Sequence, residues 1–165
     1  MAGRPLGIWI LLALLGAAAT GRAQGLPSAE AGTGDGQDGK EEARARLVVV
    51  LEGLRNRSGV VRLALYGGEA GFPSDHARAV RGATEEIGGP EVRVVFEGLA
   101  PGTYALSVFH DEDGDGRLKR GIFGIPTEGI AFSRDARNPV GPPKWKDAKF
   151  EIPPGQTTIT CHLRY

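Results

Sequence analysis

The sequence has a single cysteine, Cys161, among its 165 residues. One cysteine cannot form a disulfide within the chain, so the folded state must depend on an apolar core or on a bound metal for its stability. Cys161 alternates with polar residues in the last apolar segment, Thr158 to Arg164. We therefore expect it to be a buried, small hydrophobic side chain rather than a reactive thiol.

An excess of basic charge is also absent. The chain has 20 lysines and arginines against 20 aspartates and glutamates, which gives a formal net charge of zero. Proteins that bind nucleic acid need a clustered basic surface, and a chain without a net basic charge does not favour one. We therefore expect no nucleic-acid partner.

Long apolar runs are missing except at the N-terminus. Residues 6–19 are apolar or small, follow Arg4, and precede Gly21 and Ala23, the small residues at −3 and −1 of a cleavage site. The run is shorter than the roughly 20 residues of a transmembrane helix. We predict a signal peptide in residues 1–23, export to the periplasm or the exterior, and no membrane span after cleavage.

Two further segments follow this leader. Residues 24–46 contain many Gly, Ala and charged residues without apolar periodicity, so they predict a flexible linker that buries too little surface to fold. Residues 47–165 contain short apolar runs separated by Gly, Pro and Asn turns, and no convincing amphipathic helix. This pattern predicts an all-β domain, an antiparallel β-sandwich of about seven strands with an immunoglobulin-like or transthyretin-like fold.

Two local predictions concern the strands. The runs 47–51 and 61–65 flank a turn at residues 56–59 and predict a β-hairpin. Tyr104 follows the turn Leu99-Ala100-Pro101-Gly102, and we expect its hydroxyl to bond back to the backbone of that corner.

An acidic loop follows the run that ends at His110. Asp111, Asp113 and Asp115 are spaced i, i+2, i+4 before Gly116, as in the first half of an EF-hand calcium loop, and Arg117 would offer its backbone carbonyl. The twelfth position is Ile122 instead of a bidentate glutamate, so we expect Glu128 to complete the ligand set. The alternative is a metal-free turn whose carboxylates accept hydrogen bonds from backbone amides.

The same region offers an enzymatic alternative. His110, Asp111 and Glu128 could act as acid and base in a small periplasmic hydrolase. A Ser-His-Asp arrangement through Ser107 or Ser133 is less favoured, because the sequence has no nucleophile elbow. Zinc is also less favoured, because His76, His110, His162 and Cys161 lack ligand spacing.

Two stretches carry a resemblance to a known family: FHDEDGDGRLKRGIFGIPTEGIAFS, residues 109–133, and ARNPVGPPKWKDAKFEI, residues 136–152. They resemble the bacterial domain of unknown function 2141, in which a strand ending in His-Asp precedes a Gly-rich turn and a Phe-Gly-x-Pro-x-Glu-Gly segment. The family usually has Asn at the positions of Asp113 and Asp115. The resemblance implies an exported β-sandwich without an established activity.

Taken together, the residues favour a non-enzymatic exported module that binds calcium or a surface ligand through residues 111–132. Its partner would be a protein or another ligand of the cell envelope. The alternatives are the hydrolase and a purely structural envelope protein. We expect the apolar side chains of this region to pack on the end of the sheet: Ile122, Phe123, Ile125 and Phe132.

Overall fold

The computed structural model describes residues 44–165. The signal peptide and most of the linker lie outside this range and stay predictions. No helix in the described range is long and apolar enough to cross a membrane. The range contains eight strands: β1 (Ala45–Glu52), β2 (Val60–Tyr66), β3 (Arg81–Glu86), β4 (Val92–Leu99), β5 (Gly102–Asp111), β6 (Ile130–Phe132), β7 (Phe150–Ile152) and β8 (Gly155–His162).

Helical structure in residues 44–165 is limited to single turns. Three are 3₁₀ turns, at His76–Arg78, Ile122–Gly124 and Ser133–Asp135, and one is a short α-helix, α1 (Trp145–Ala148). The prediction of an all-β domain is therefore confirmed.

The strands form two sheets. One has the order β4-β1-β8, and the other has the order β3-β2-β5-β6, with β7 pairing to β5. Neighbouring strands are antiparallel except β1 and β8, which pair in parallel. The sheets meet beyond β8, where Ile130 and Arg164 exchange backbone hydrogen bonds of 2.8 and 3.0 Å.

The predicted hairpin between the first two apolar runs is wrong. Strand β1 is the centre of its sheet and pairs with β4 and β8, whereas β2 pairs with β3 and β5 in the other sheet. The connecting turn is tied to the end of β5, since Asn56 Nδ2 donates to Glu112 Oε2 at 3.1 Å. An apolar run buried along nearly its whole length, as β1 is, suits a central strand with neighbours on both sides.

The apolar side chains of both sheets form one core. Cys161 is fully buried in it, as predicted, and burial raises the pKa of its thiol to about 12. The tyrosine corner is also confirmed, because the Tyr104 hydroxyl donates to the Ala100 carbonyl at 2.7 Å. Burial of each large core side chain stabilises the fold by about 1.5–3 kcal/mol.

Phe72 anchors the long loop between β2 and β3. Its ring makes edge-to-face contacts with Tyr66, Phe132 and Trp145 at centroid distances of 5.5, 6.2 and 5.9 Å. Trp145 is half-buried in this cluster. The cluster fixes this loop beside β6, at the edge of the larger sheet.

Candidate functional site

The candidate site lies where β5 ends, and its first residue, His110, is fully buried. Its Nε2 is 2.7 Å from the carbonyl oxygen of Ser58, which can only accept, so Nε2 carries the proton and donates. Its Nδ1 then accepts from the Tyr165 hydroxyl at 2.6 Å. Both ring nitrogens are used by these structural hydrogen bonds.

Tyr165 connects this histidine to the turn after β1. Its hydroxyl accepts from the backbone N–H of Arg55 at 3.1 Å, and the Arg55 guanidinium lies 4.3 Å from the centre of its ring. Burial of the hydroxyl raises the pKa of Tyr165. No sequence pattern links the last residue of the chain to His110; the pairing of Arg164 with Ile130 brings it there.

Asp111 is also fully buried. Its Oδ2 accepts from Arg62 Nε at 2.6 Å and from the backbone N–H of Gly116 at 2.9 Å. Its Oδ1 is buried and has no hydrogen-bond partner. The other such oxygen in the described chain, Glu112 Oε1, lies 2.7 Å from Arg55 Nη2 and so faces a cation. Asp111 Oδ1 is therefore the buried oxygen that lacks a donor.

The acidic loop, residues 111–117, brings together the three predicted aspartates. One carboxylate oxygen from each of Asp111, Asp113 and Asp115 lies within 4.8 Å of the others, close enough to share a metal ion. Asp113 Oδ1 accepts from the backbone of Asp115 at 3.4 Å, and Asp115 Oδ1 accepts from the backbone of Arg117 at 2.7 Å. The loop thus has the amide contacts of a turn as well as the clustered carboxylates of a metal site.

Besides Arg62, two further cations, Lys119 and Arg55, balance part of this acidic charge. Lys119 Nζ lies 2.9 Å from Asp113 Oδ2, and its hydrogen bond lowers the pKa of Asp113. Burial opposes ionisation of Glu112, but hydrogen bonds from Arg55 and Asn56 outweigh it and lower the pKa of Glu112. The carboxylates of Asp113 and Glu112 are therefore held in the ionised form, which is the form that attracts a cation.

Glu128 has a different role from the one predicted. It is 2 % exposed, and the structure does not place it in the aspartate group. Its Oε1 accepts from the backbone N–H of Glu112 at 2.9 Å, and its Oε2 accepts from that of Lys119 at 2.8 Å. Glu128 thus holds the two ends of the acidic loop together.

The structure does not bring the other catalytic and zinc candidates together. Ser133 is a core residue whose hydroxyl accepts from Leu106 N at 2.9 Å and donates to the Ala148 carbonyl at 2.7 Å. His76 stacks on Phe109, and His162 Nδ1 lies 2.7 Å from Asp135 Oδ2. Within residues 44–165, the three aspartates are the only group of such side chains with metal-site geometry.

The prediction that the apolar residues after the acidic loop pack on the sheet is wrong for three of the four. Ile122, Phe123 and Ile125 are 79 %, 95 % and 63 % exposed, whereas Phe132 is half-buried. Residues 119–127, the apolar loop, close on themselves through the backbone hydrogen bonds Thr127 N to Lys119 O and Gly121 N to Ile125 O. These bonds close the loop locally, while its three large apolar side chains remain exposed.

These observations define an all-β domain with an aspartate triad on the loop that follows strand β5. Residues 49–160 match the model of a family described as an uncharacterized protein conserved in bacteria, DUF2141. The chain belongs to this family, and the resemblance predicted from the motifs is confirmed. No curated protein and no solved structure matches the chain.

Proposed function

We propose that the protein is an exported, non-enzymatic module that binds calcium through the acidic loop. The observation that carries this proposal is the aspartate triad, whose carboxylate oxygens lie within 4.8 Å of one another. Its member Asp111 has a buried oxygen, Oδ1, without a donor, and either this oxygen or Oδ2 faces the triad. A buried oxygen without a partner costs free energy, on the order of 1–3 kcal/mol. A cation at the triad would supply the missing partner.

Charge and ligand type support a hard divalent cation. The three aspartates contribute three negative charges, and Arg62, bound to Asp111, contributes one positive charge. Lys119 adds a second positive charge at Asp113, so a divalent ion that displaces Lys119 would bring this group to neutrality. Calcium takes six to eight oxygen ligands, and the carboxylates of Asp111, Asp113 and Asp115 with the carbonyl of Arg117 would supply four of them.

The remaining positions would be filled by water, which predicts a weak site. The glutamate that completes an EF-hand loop is absent, and Glu128 is held by two amides. Calcium must also displace Lys119 from Asp113, an exposed ion pair of the kind that contributes little. The dissociation constant is expected to be on the order of 10⁻⁴–10⁻³ M, in the range of extracellular modules.

The hydrolase alternative has weaker support. His110 uses both ring nitrogens, and Glu128 uses both carboxylate oxygens, in contacts that hold the backbone in place. Both side chains are buried. A general acid or base must reach the proton that it transfers, and the polar atoms of these two side chains are already engaged in the contacts named above.

The first prediction is that calcium stabilises the purified protein. About 10 mM calcium should raise the melting temperature by about 5–10 °C relative to a chelator, because a ligand that binds only the folded state adds its binding free energy to stability. Asp113→Asn should abolish this rise. Thermal melts followed by circular dichroism measure both effects.

Asp147→Asn is the matched control, because it removes the same charge from an exposed position of α1 outside the triad. It should keep the full rise. The proposal fails if calcium leaves the melting temperature of the unmodified protein unchanged, or if both variants respond equally.

The export part of the proposal has its own test. The pattern of residues 1–23 predicts cleavage after Ala23. Intact-mass spectrometry of the protein recovered from the periplasm or the medium should give the mass of a chain that begins at Gln24. Recovery of an uncleaved chain from the cytoplasm alone would contradict export.

A further inference from the structure

A second feature, which borders the acidic loop at Gly116 and Arg117 but includes none of the three aspartates, is a cleft of about 840 Å³ beside strand β6. Its inner surface includes Phe109, Ala131 and Phe132, of which the first two are buried and the third half-buried. Its walls come from the apolar loop and from residues 136–143. A volume of this size falls in the range of about 300–1,000 Å³ that is typical of small-molecule sites.

The walls of this cleft expose large apolar side chains. The lining includes Phe123 and Ile125 from the apolar loop, and Val140, which is 93 % exposed, from residues 136–143. Single exposed apolar residues are common on protein surfaces, but several that line one concavity mark a binding surface. The ligand should therefore have a substantial apolar part.

The charged side chains around the cleft are mostly of one sign. Four arginines line it, against one carboxylate, Asp135, which is hydrogen-bonded to the backbone and the ring of His162. Arg120 donates to the Gly124 carbonyl, which holds it at the wall. The other three make no ion pair within residues 44–165: Arg117, Arg137 and Arg164.

We propose that this cleft binds a free, single-chain amphipathic anion, specifically a long-chain carboxylate. The alkyl chain would contact the half-buried Phe132 and the exposed apolar side chains of Phe123, Ile125 and Val140, and the carboxylate would meet the arginines. The charge complementarity selects an anion, and guanidinium groups pair with carboxylates through two parallel hydrogen bonds. The concave shape favours a single chain over a membrane surface, and the proposal does not depend on calcium.

The test uses dansyl-undecanoic acid, whose fluorescence rises when it enters an apolar site, with the purified protein in chelator. Dodecanoate below its micelle concentration should displace the probe. Dodecyltrimethylammonium, with the same chain and the opposite charge, should not. Arg137→Gln combined with Arg164→Gln should weaken dodecanoate binding about tenfold or more, because charge-assisted hydrogen bonds are lost.

Two controls separate the cleft from the general surface. Arg57→Gln removes an exposed arginine that does not line the cleft, and it should leave the affinity unchanged. Phe123→Ser, at a side chain that is 95 % exposed, should weaken binding without loss of folding, whereas Val95→Ser on β4 should not weaken binding.

Three results would overturn the proposal. They are absence of probe binding, equal displacement by the cationic and anionic chains, and an unchanged affinity in the double arginine variant. Binding to phosphatidylglycerol vesicles without binding of monomeric dodecanoate would also overturn it, in favour of a membrane surface.

Discussion

Replacement of Gly59 by alanine is expected to lower the free energy of unfolding by roughly 3–5 kcal/mol, the largest effect of any single substitution considered for this protein. Gly59 has a φ of +66°, and a Cβ atom there would lie 1.9 Å from the carbonyl oxygen of Asp111. The next residue, Val60, pairs with Asp111 in the β2–β5 ladder, so the two backbones cannot separate without breaking that pairing. Denaturant unfolding measures the loss.

Gly68→Ala is the matched control. Gly68 is exposed, and a Cβ atom there would meet no other atom within 4 Å. The free energy of unfolding of this variant should lie within about 0.5 kcal/mol of that of the unmodified protein, as is usual for surface substitutions. Equal stability of the two alanine variants would show that the close approach of β2 and β5 at Gly59 is absent in solution.

The second large effect is expected for His110→Ala, which should destabilise the protein by about 2–4 kcal/mol. The substitution removes a fully buried ring and leaves the Ser58 carbonyl and the Tyr165 hydroxyl without their partner. The penalty combines a cavity with unpaired polar groups, so it exceeds that of a lost surface contact. Denaturant unfolding measures the loss, and the calcium-induced rise in melting temperature should survive in a folded sample.

His76→Ala provides the comparison for this residue. His76 is exposed and stacks on Phe109 at a centroid distance of 5.9 Å, so its removal should cost less than 1 kcal/mol. If His110→Ala proved as mild as His76→Ala, the buried hydrogen bonds of His110 would not hold the end of β5 together. The hydrolase alternative would then regain support.

Several features of the protein were predictable because they depend on neighbouring residues. Strand β4 follows the alternation of its sequence, with Val92, Val94 and Phe96 buried and the residues between them exposed. The corner hydrogen bond of Tyr104 spans four residues. The spacing of the three aspartates suffices to cluster them, since a tight turn with Gly114 and Gly116 at positive φ directs alternate side chains inward.

The partners of these elements depended on contacts between distant residues. Alternation shows which face of a strand is buried but not which strand lies beside it. The sequence pattern therefore predicts a hairpin of β1 and β2, although the two strands belong to different sheets. The apolar loop is a second case in which the sequence pattern misleads. Its apolar side chains predict packing on the sheet, but the loop is closed by local hydrogen bonds and these side chains stay exposed.

The chemistry of the site divides in the same way. The local sequence by itself determined that carboxylates cluster after β5, since turn geometry acts over a few residues. The tertiary structure decided which of these carboxylates are paired with a distant cation or hydrogen-bond donor and which are not. Arg62 reaches Asp111 across 49 residues, and Tyr165 reaches His110 across 55. Such pairs arise only when the burial of two apolar faces fixes the register between strands, and that register is a property of the whole fold.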